Sequence, residues 1–211
     1  MRSSNDIKYF GIGANKTGTS SLRDVFKKAN LKPVSLHRHG QQFTSQLWKK
    51  EYGSFLAYTQ KFTSFQDAPF SYIRIPVLKL LQKKYPKAKF ILTIRDSEEW
   101  FTSLLRWYTS WPGLKKYPTK GKNLKFTLGY CMAFDIPQDI PTIPSSLKKH
   151  KDIFIKGYEK RNEEIKTFFK DDANFLVIDV TQEKNRLEKL CFFMEVPNIE
   201  GVFPHTNKTQ W

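Results

Sequence analysis

Apolar positions along the chain fall into two alternating patterns. Short continuous runs, "KYFGIG" (8–13), "KFILTI" (89–94) and "NFLVIDV" (174–180), have the length of buried strands. Between them the apolar residues recur at helical spacing. Leu22, Val25 and Phe26 share one face of a helix predicted over 19–30. Further helices are predicted from Pro76 to Tyr85, over 97–109 with Ser97 as N-cap, over 146–170, and over 183–194. In the long 146–170 helix, Leu147, Phe154, Tyr158, Ile165 and Phe168 form the apolar stripe, and Arg161 falls on it. "KPVSL" (32–36) reads as a second strand, and "FTSFQDAP" (62–69) as extended chain ending in a turn. Residues 110–145 hold five prolines and three glycines and predict no long regular element.

Strands joined by helices imply an α/β fold: three layers, P-loop-like, with a central parallel sheet flanked by helices. Ligands of such sheets bind beyond the carboxyl ends of the strands. The chain of 211 residues is long enough for one domain with a real core, so residues 1–211 are expected to form a single unit. Within it, 110–145 is expected to be a lid or acceptor-side segment, since long loops in small domains usually gate a site.

Composition narrows the classes. Aromatic residues make up 15% of the chain, too many for a disordered segment. Lys and Arg number 36 against 20 Asp and Glu, a formal charge of +16 that favours anionic ligands. The lysines are scattered rather than clustered, so no nucleic-acid partner is expected. No run approaches the roughly 18 apolar residues of a membrane span. The opening "MRSSNDIKYF" is polar, unlike a signal peptide. Cys131 and Cys191 do not make a disulfide framework or a CxxC site and are expected to be free thiols. Together these suggest a cytoplasmic protein. The four histidines and two cysteines lack zinc-site spacing, and no metal is expected.

The first strand leads through "GANKTGTSSL" (13–22) into a helix. Such a turn makes an anion site, because the first N–H groups of the helix have no partner and its dipole adds positive charge. Gly13 and Gly18 let the backbone curl. Lys16 supplies a point charge. Thr17, Thr19, Ser20 and Ser21 supply hydroxyls. In the nucleotide-triphosphatase pattern the lysine directly follows the last glycine. Here Lys16 comes two residues before Gly18.

The loop instead closely resembles the 5′-phosphosulfate loop of sulfotransferases that use 3′-phosphoadenosine 5′-phosphosulfate (PAPS), in which Lys or Arg precedes Thr-Gly-Thr-[Ser/Thr]-Ser-Leu. The resemblance extends to Arg95 and Ser103 in "FILTIRDSEEWFTSLL", an Arg at a strand end and a Ser eight positions on. "SFQDAPF", "YEKRNEEIKTFF" and "VFPHTNKT" are similar to segments of the compact soluble branch of the family. Arg161 stands where that branch often has His. The resemblance implies a sulfuryl transferase that uses PAPS and releases 3′,5′-ADP. Its donor would be held by Ala14, Asn15, Lys16, Thr17, Gly18, Thr19 and Ser20 at one end and by Arg95 and Ser103 at the other. It implies a hydroxyl or amine acceptor on a small molecule or carbohydrate.

Lys16 is then a catalytic candidate, and Asp67 the candidate base. A free Asp, with a pKa of about 3.9, is a poor base at neutral pH, and an apolar pocket of Phe65, Phe70 and Tyr72 would raise it. The alternative for Asp67 is a turn cap before Pro69. His37 and His39 are rival bases, and His150 and His205 are less well placed. Trp100, Trp107 and Phe203 are flat partners available to adenine. Arg161 either snorkels or meets a buried acid or the donor. Two other readings stay open: a phosphate-loop kinase with Asp179 as its metal-side acid, and a donor-binding protein without activity.

Overall fold

The ring of Phe10 stacks between Phe65 (4.7 Å between centroids, 14° between planes) and Phe90 (5.3 Å, 20°) on the neighbouring strands. The computed structural model describes residues 7–34, 40–110, 124–140 and 144–204. Among them β1 (Tyr9–Gly11), β2 (Ser64–Phe65), β3 (Lys89–Ile94) and β4 (Phe175–Asp179) form one parallel sheet in the order β2-β1-β3-β4. Tyr9 pairs with Lys89, and Ile94 with Asp179. The helices are α1 (Thr19–Lys28), α2 (Gly40–Trp48), α3 (Gly53–Thr59), α4 (Ile75–Lys84), α5 (Ser97–Ser110), α6 (Leu124–Phe134), α7 (Pro144–Lys149), α8 (Lys151–Phe168) and α9 (Arg186–Met194).

Alternation along the strands makes the layers. Phe10, Ile12, Phe90 and Leu92 face a cluster with Leu78 and Leu81 of α4 and Ile165 of α8. Tyr9, Ile91 and Ile178 face Leu22, Val25 and Phe26 of α1 and Leu190 and Met194 of α9. A sheet covered on both faces is the three-layer α/β arrangement expected from the sequence. A third cluster, built from α5, α6, α7 and α8, includes Trp100, Tyr108, Tyr130, Phe134, Phe154 and Tyr158.

The structure corrects five expectations. The 110–145 segment, predicted without a long regular element, contains α6, whose Tyr130, Ala133 and Phe134 are buried in the third cluster. The long 146–170 helix is two helices broken at His150, whose Nδ1 and backbone N–H both lie against the Ser146 carbonyl, at 2.9 and 3.0 Å. "KPVSL" contributes one parallel bridge, Pro33 to Ser64, and its last two residues lie outside the described ones. β4 is half-buried along most of its length, in keeping with its place at the sheet edge. Asp96 rather than Ser97 caps α5: its Oδ1 accepts the Glu99 N–H at 3.0 Å. Two helices, α2 and α3, occupy a stretch for which the pattern predicts no element.

Candidate functional site

β1 ends at Gly11, and Ile12 N–H still donates to the Ile91 carbonyl, 2.8 Å away. The chain then turns against β3. A Cβ on Gly13 would lie 2.0 Å from Thr93 Oγ1 and 2.5 Å from the Thr93 carbonyl oxygen, so only glycine fits. Thr17 is buried. Its N–H and hydroxyl both donate to the Ala14 carbonyl, at 3.2 and 2.6 Å, and its oxygen is 2.8 Å from Thr93 Oγ1. Thr17 thus holds the loop closed from inside instead of presenting its hydroxyl outward. Gly18 takes φ 82° and begins α1, with no side-chain cap and no acid in the first turn. The first N–H groups of a helix have no intrahelical partner, an arrangement that suits an anion. Thr19 and Ser21 are buried, and Ser20 is half-buried.

Lys16 is half-buried, and its Nζ lies 5.8 Å from the centre of the Trp107 ring. Burial lowers its pKa from the ordinary lysine value; nearby Asp67 opposes this and Arg95 adds to it. Asp67 and Arg95 are therefore each within electrostatic reach of Lys16. Asp67 is half-buried and accepts from Asn15 Nδ2 at 3.2 Å. Its carboxylate thus faces the loop rather than capping its own turn. Phe65, Phe70 and Tyr72 are themselves buried and packed into the core clusters.

Seven non-glycine residues among the described ones take positive φ. Asn30, Lys50, Asp135, Asp171 and Glu195 sit just beyond helix ends, where this conformation is ordinary. The other two are Lys16 (φ 72°) and Asp67 (φ 65°), in the two loops that meet through Asn15. Left-handed backbone away from helix ends concentrates at sites where a side chain must be aimed.

Arg95 directly follows β3. Its Nη2 is 3.1 Å from Glu99 Oε2, one turn into α5, and its Nε is buried with no hydrogen-bond partner among the described residues. The ion pair is thus with Glu99, not Asp96. Ser103 lies one turn further along the same face of α5 and is half-buried. At one end of the region the buried Arg95 Nε is a donor without a partner among the described residues, and at the other the first turn of α1 carries no acid beside the Lys16 ammonium. The residues present therefore suit a ligand anionic at both ends. His37 and His39 lie outside the described residues, as does His205.

A model of the sulfotransferase domain family matches residues 8–211. The chain belongs to the sulfotransferase family. No curated protein matches it.

In this sulfotransferase chain, Asp179 is engaged locally: its Oδ1 accepts from Thr181 N–H and Oγ1 (both 2.8 Å) and from Gln182 N–H (3.0 Å). Burial pushes its carboxyl up, but these bonds and the charge of Arg95 outweigh that and hold it below the usual range. Among the described residues no group of His, Cys, Asp and Glu is arranged to hold a metal, and no helix is long and apolar enough to cross a membrane. Cys131 and Cys191 are free and buried.

Sequence reasoning offered Trp100 to adenine. The ring is instead fully buried, stacked on Tyr158 (4.3 Å, 8°), and its Nε1–H donates to the Asn15 carbonyl at 2.9 Å. Phe203 lies over the Arg186 guanidinium, 5.4 Å away. Arg161 is also fully buried. It neither snorkels nor bonds an acid; its Nη2 donates to the Ile12 carbonyl (2.9 Å) and the Ile73 carbonyl (3.0 Å). Burial drags its pKa down to about 9, still charged at neutral pH. The helical period marked Arg161 as inward-facing, but nothing local could name its carbonyl partners.

Proposed function

We propose that this sulfotransferase takes its sulfuryl group from PAPS and delivers it by in-line displacement to a hydroxyl or amine of a small-molecule or carbohydrate acceptor. In this reading residues 1–211 work as one domain. The supporting observation is Lys16 within electrostatic reach of both Asp67 and Arg95, with Lys16 and Asp67 aimed by left-handed backbone, on a loop whose helix carries no acid in its own first turn. The donor supplies an activated sulfuryl group on a phosphate leaving group, and PAPS carries a further phosphate on the ribose.

The roles follow from the residues. The N–H groups from Gly18 to Ser20 and the Lys16 ammonium hold the 5′ side. Positive charge fixed in place before the reaction stabilises charge building on the leaving oxygen, worth about 3–4 kcal/mol for one good donor. Arg95 offers a planar fork to the 3′-phosphate once it turns from Glu99, and Ser103 adds a hydroxyl. Asp67, oriented by Asn15, takes the acceptor's proton.

Incubation with labelled PAPS and a panel of alcohols, phenols, sugars and amines, followed by mass, tests the reading directly. A label appearing on one class identifies the acceptor. Thermal shift provides the partner test: 3′,5′-ADP without metal raises the melting temperature, whereas a kinase would respond to ATP with Mg²⁺. Stabilisation by ATP with Mg²⁺ alone would overturn the proposal.

A further inference from the structure

Beneath the loop and Arg95 runs a buried brace whose bonds end on backbone. Tyr158 and Arg161 lie about one turn apart on α8. Tyr158 Oη accepts the Arg95 N–H at 3.1 Å and donates to the Arg95 carbonyl at 3.0 Å. Its ring stacks on Trp100, whose indole N–H holds the Asn15 carbonyl. Arg161 ties Ile12, just before the loop, to Ile73, six residues after Asp67. One helix face thus grips the end of β1, the end of β3 and the segment following Asp67.

This brace is a poor device for stability alone. A fully buried guanidinium costs several kcal/mol to desolvate unless paired, and well-packed apolar residues often serve a core as well or better. Among the described residues Arg161 bonds no carboxylate, and its Nε and Nη1 have no hydrogen-bond partner. What its bonds do fix is distance, because each closes on a main-chain atom of a different loop.

We propose that Tyr158 and Arg161 are positioning residues that set the spacing between the phosphate loop and Arg95, and so make the site selective for an adenosine ligand phosphorylated at both 5′ and 3′ positions. The inference rests on the donor reading above and deepens it. A ligand with a single 5′-phosphate can follow a displaced loop; one with two anchors cannot. Loosening the brace therefore costs the bisphosphate more than the monophosphate.

Calorimetric affinities for 3′,5′-ADP and 5′-AMP, taken on the full chain, give the test as a ratio. In wild type 3′,5′-ADP binds more tightly. Tyr158→Phe removes one hydroxyl, and the preference narrows about tenfold while 5′-AMP affinity stays within about twofold. Arg161→Lys keeps the charge, loses the fork and narrows the preference likewise; it carries the test if Tyr158→Phe does not fold. Leu104→Ala, in the same cluster but without a bond to either loop, lowers the melting temperature and leaves the ratio alone. Variants that melt lower yet keep the wild-type ratio would reduce the brace to packing and overturn the inference. A wild type that does not prefer 3′,5′-ADP would instead remove the donor reading itself.

Discussion

Lys16 joins electrostatics to geometry at the scale of single residues. Lys16→Ala is expected to cut turnover about a hundredfold or more, with a much smaller loss of 3′,5′-ADP affinity, because its charge matters most as the leaving oxygen forms. Equal losses in both would make it a binding residue only. Its depressed pKa also has a sign. A lysine held below its unfolded value penalises the folded state most at low pH, and the penalty fades as pH rises from the folded towards the unfolded pKa. A bound anion acts oppositely and keeps the proton on. Affinity for 3′,5′-ADP is therefore expected to fall with rising pH in a window that opens below 10.5, with protons taken up on binding. Calorimetry in buffers of different ionisation heat reads that uptake. Asp67→Asn is expected to abolish transfer and spare donor affinity; an active variant would hand the proton to His37 or His39. The loop was legible in the sequence because glycine spacing and hydroxyls are local signals. The carbonyls held by Trp100, Tyr158 and Arg161 were not, since their partners lie 63 to 149 residues away.

Among the elements, β3 was the most legible, with bounds at Lys89 and Ile94 as the apolar run has them. Its neighbours bury it on both faces, so no alternation obscures the run. Helix α6 was hidden for the opposite reason. "LKFTLGYCMAF" is apolar nearly all round in sequence, so it shows little helical period, and it sits among prolines that suggest loop. The break at His150 has no proline or glycine to announce it. These differences change a prediction. Phe134 is buried against Trp100 and Tyr158. Phe134→Ala is expected to cost about 3–5 kcal/mol in denaturant unfolding. A Phe134 on a loose surface segment would instead leave stability near wild type when cut to Ala.

For the molecule as a whole, the formal charge of +16 favours the approach of anionic ligands, the proposed donor among them. Association of 3′,5′-ADP is expected to slow about tenfold from low to high salt, with dissociation changing little, as stopped-flow mixing would record. An association rate indifferent to salt would mean that only the immediate site matters. The left-handed backbone at Lys16 reaches further still. A side chain there costs about 1–2 kcal/mol that glycine avoids. Lys16→Gly is thus expected to outlast its parent on heating while turnover falls as far as in Lys16→Ala, so durability selected blindly would drift towards an idle protein.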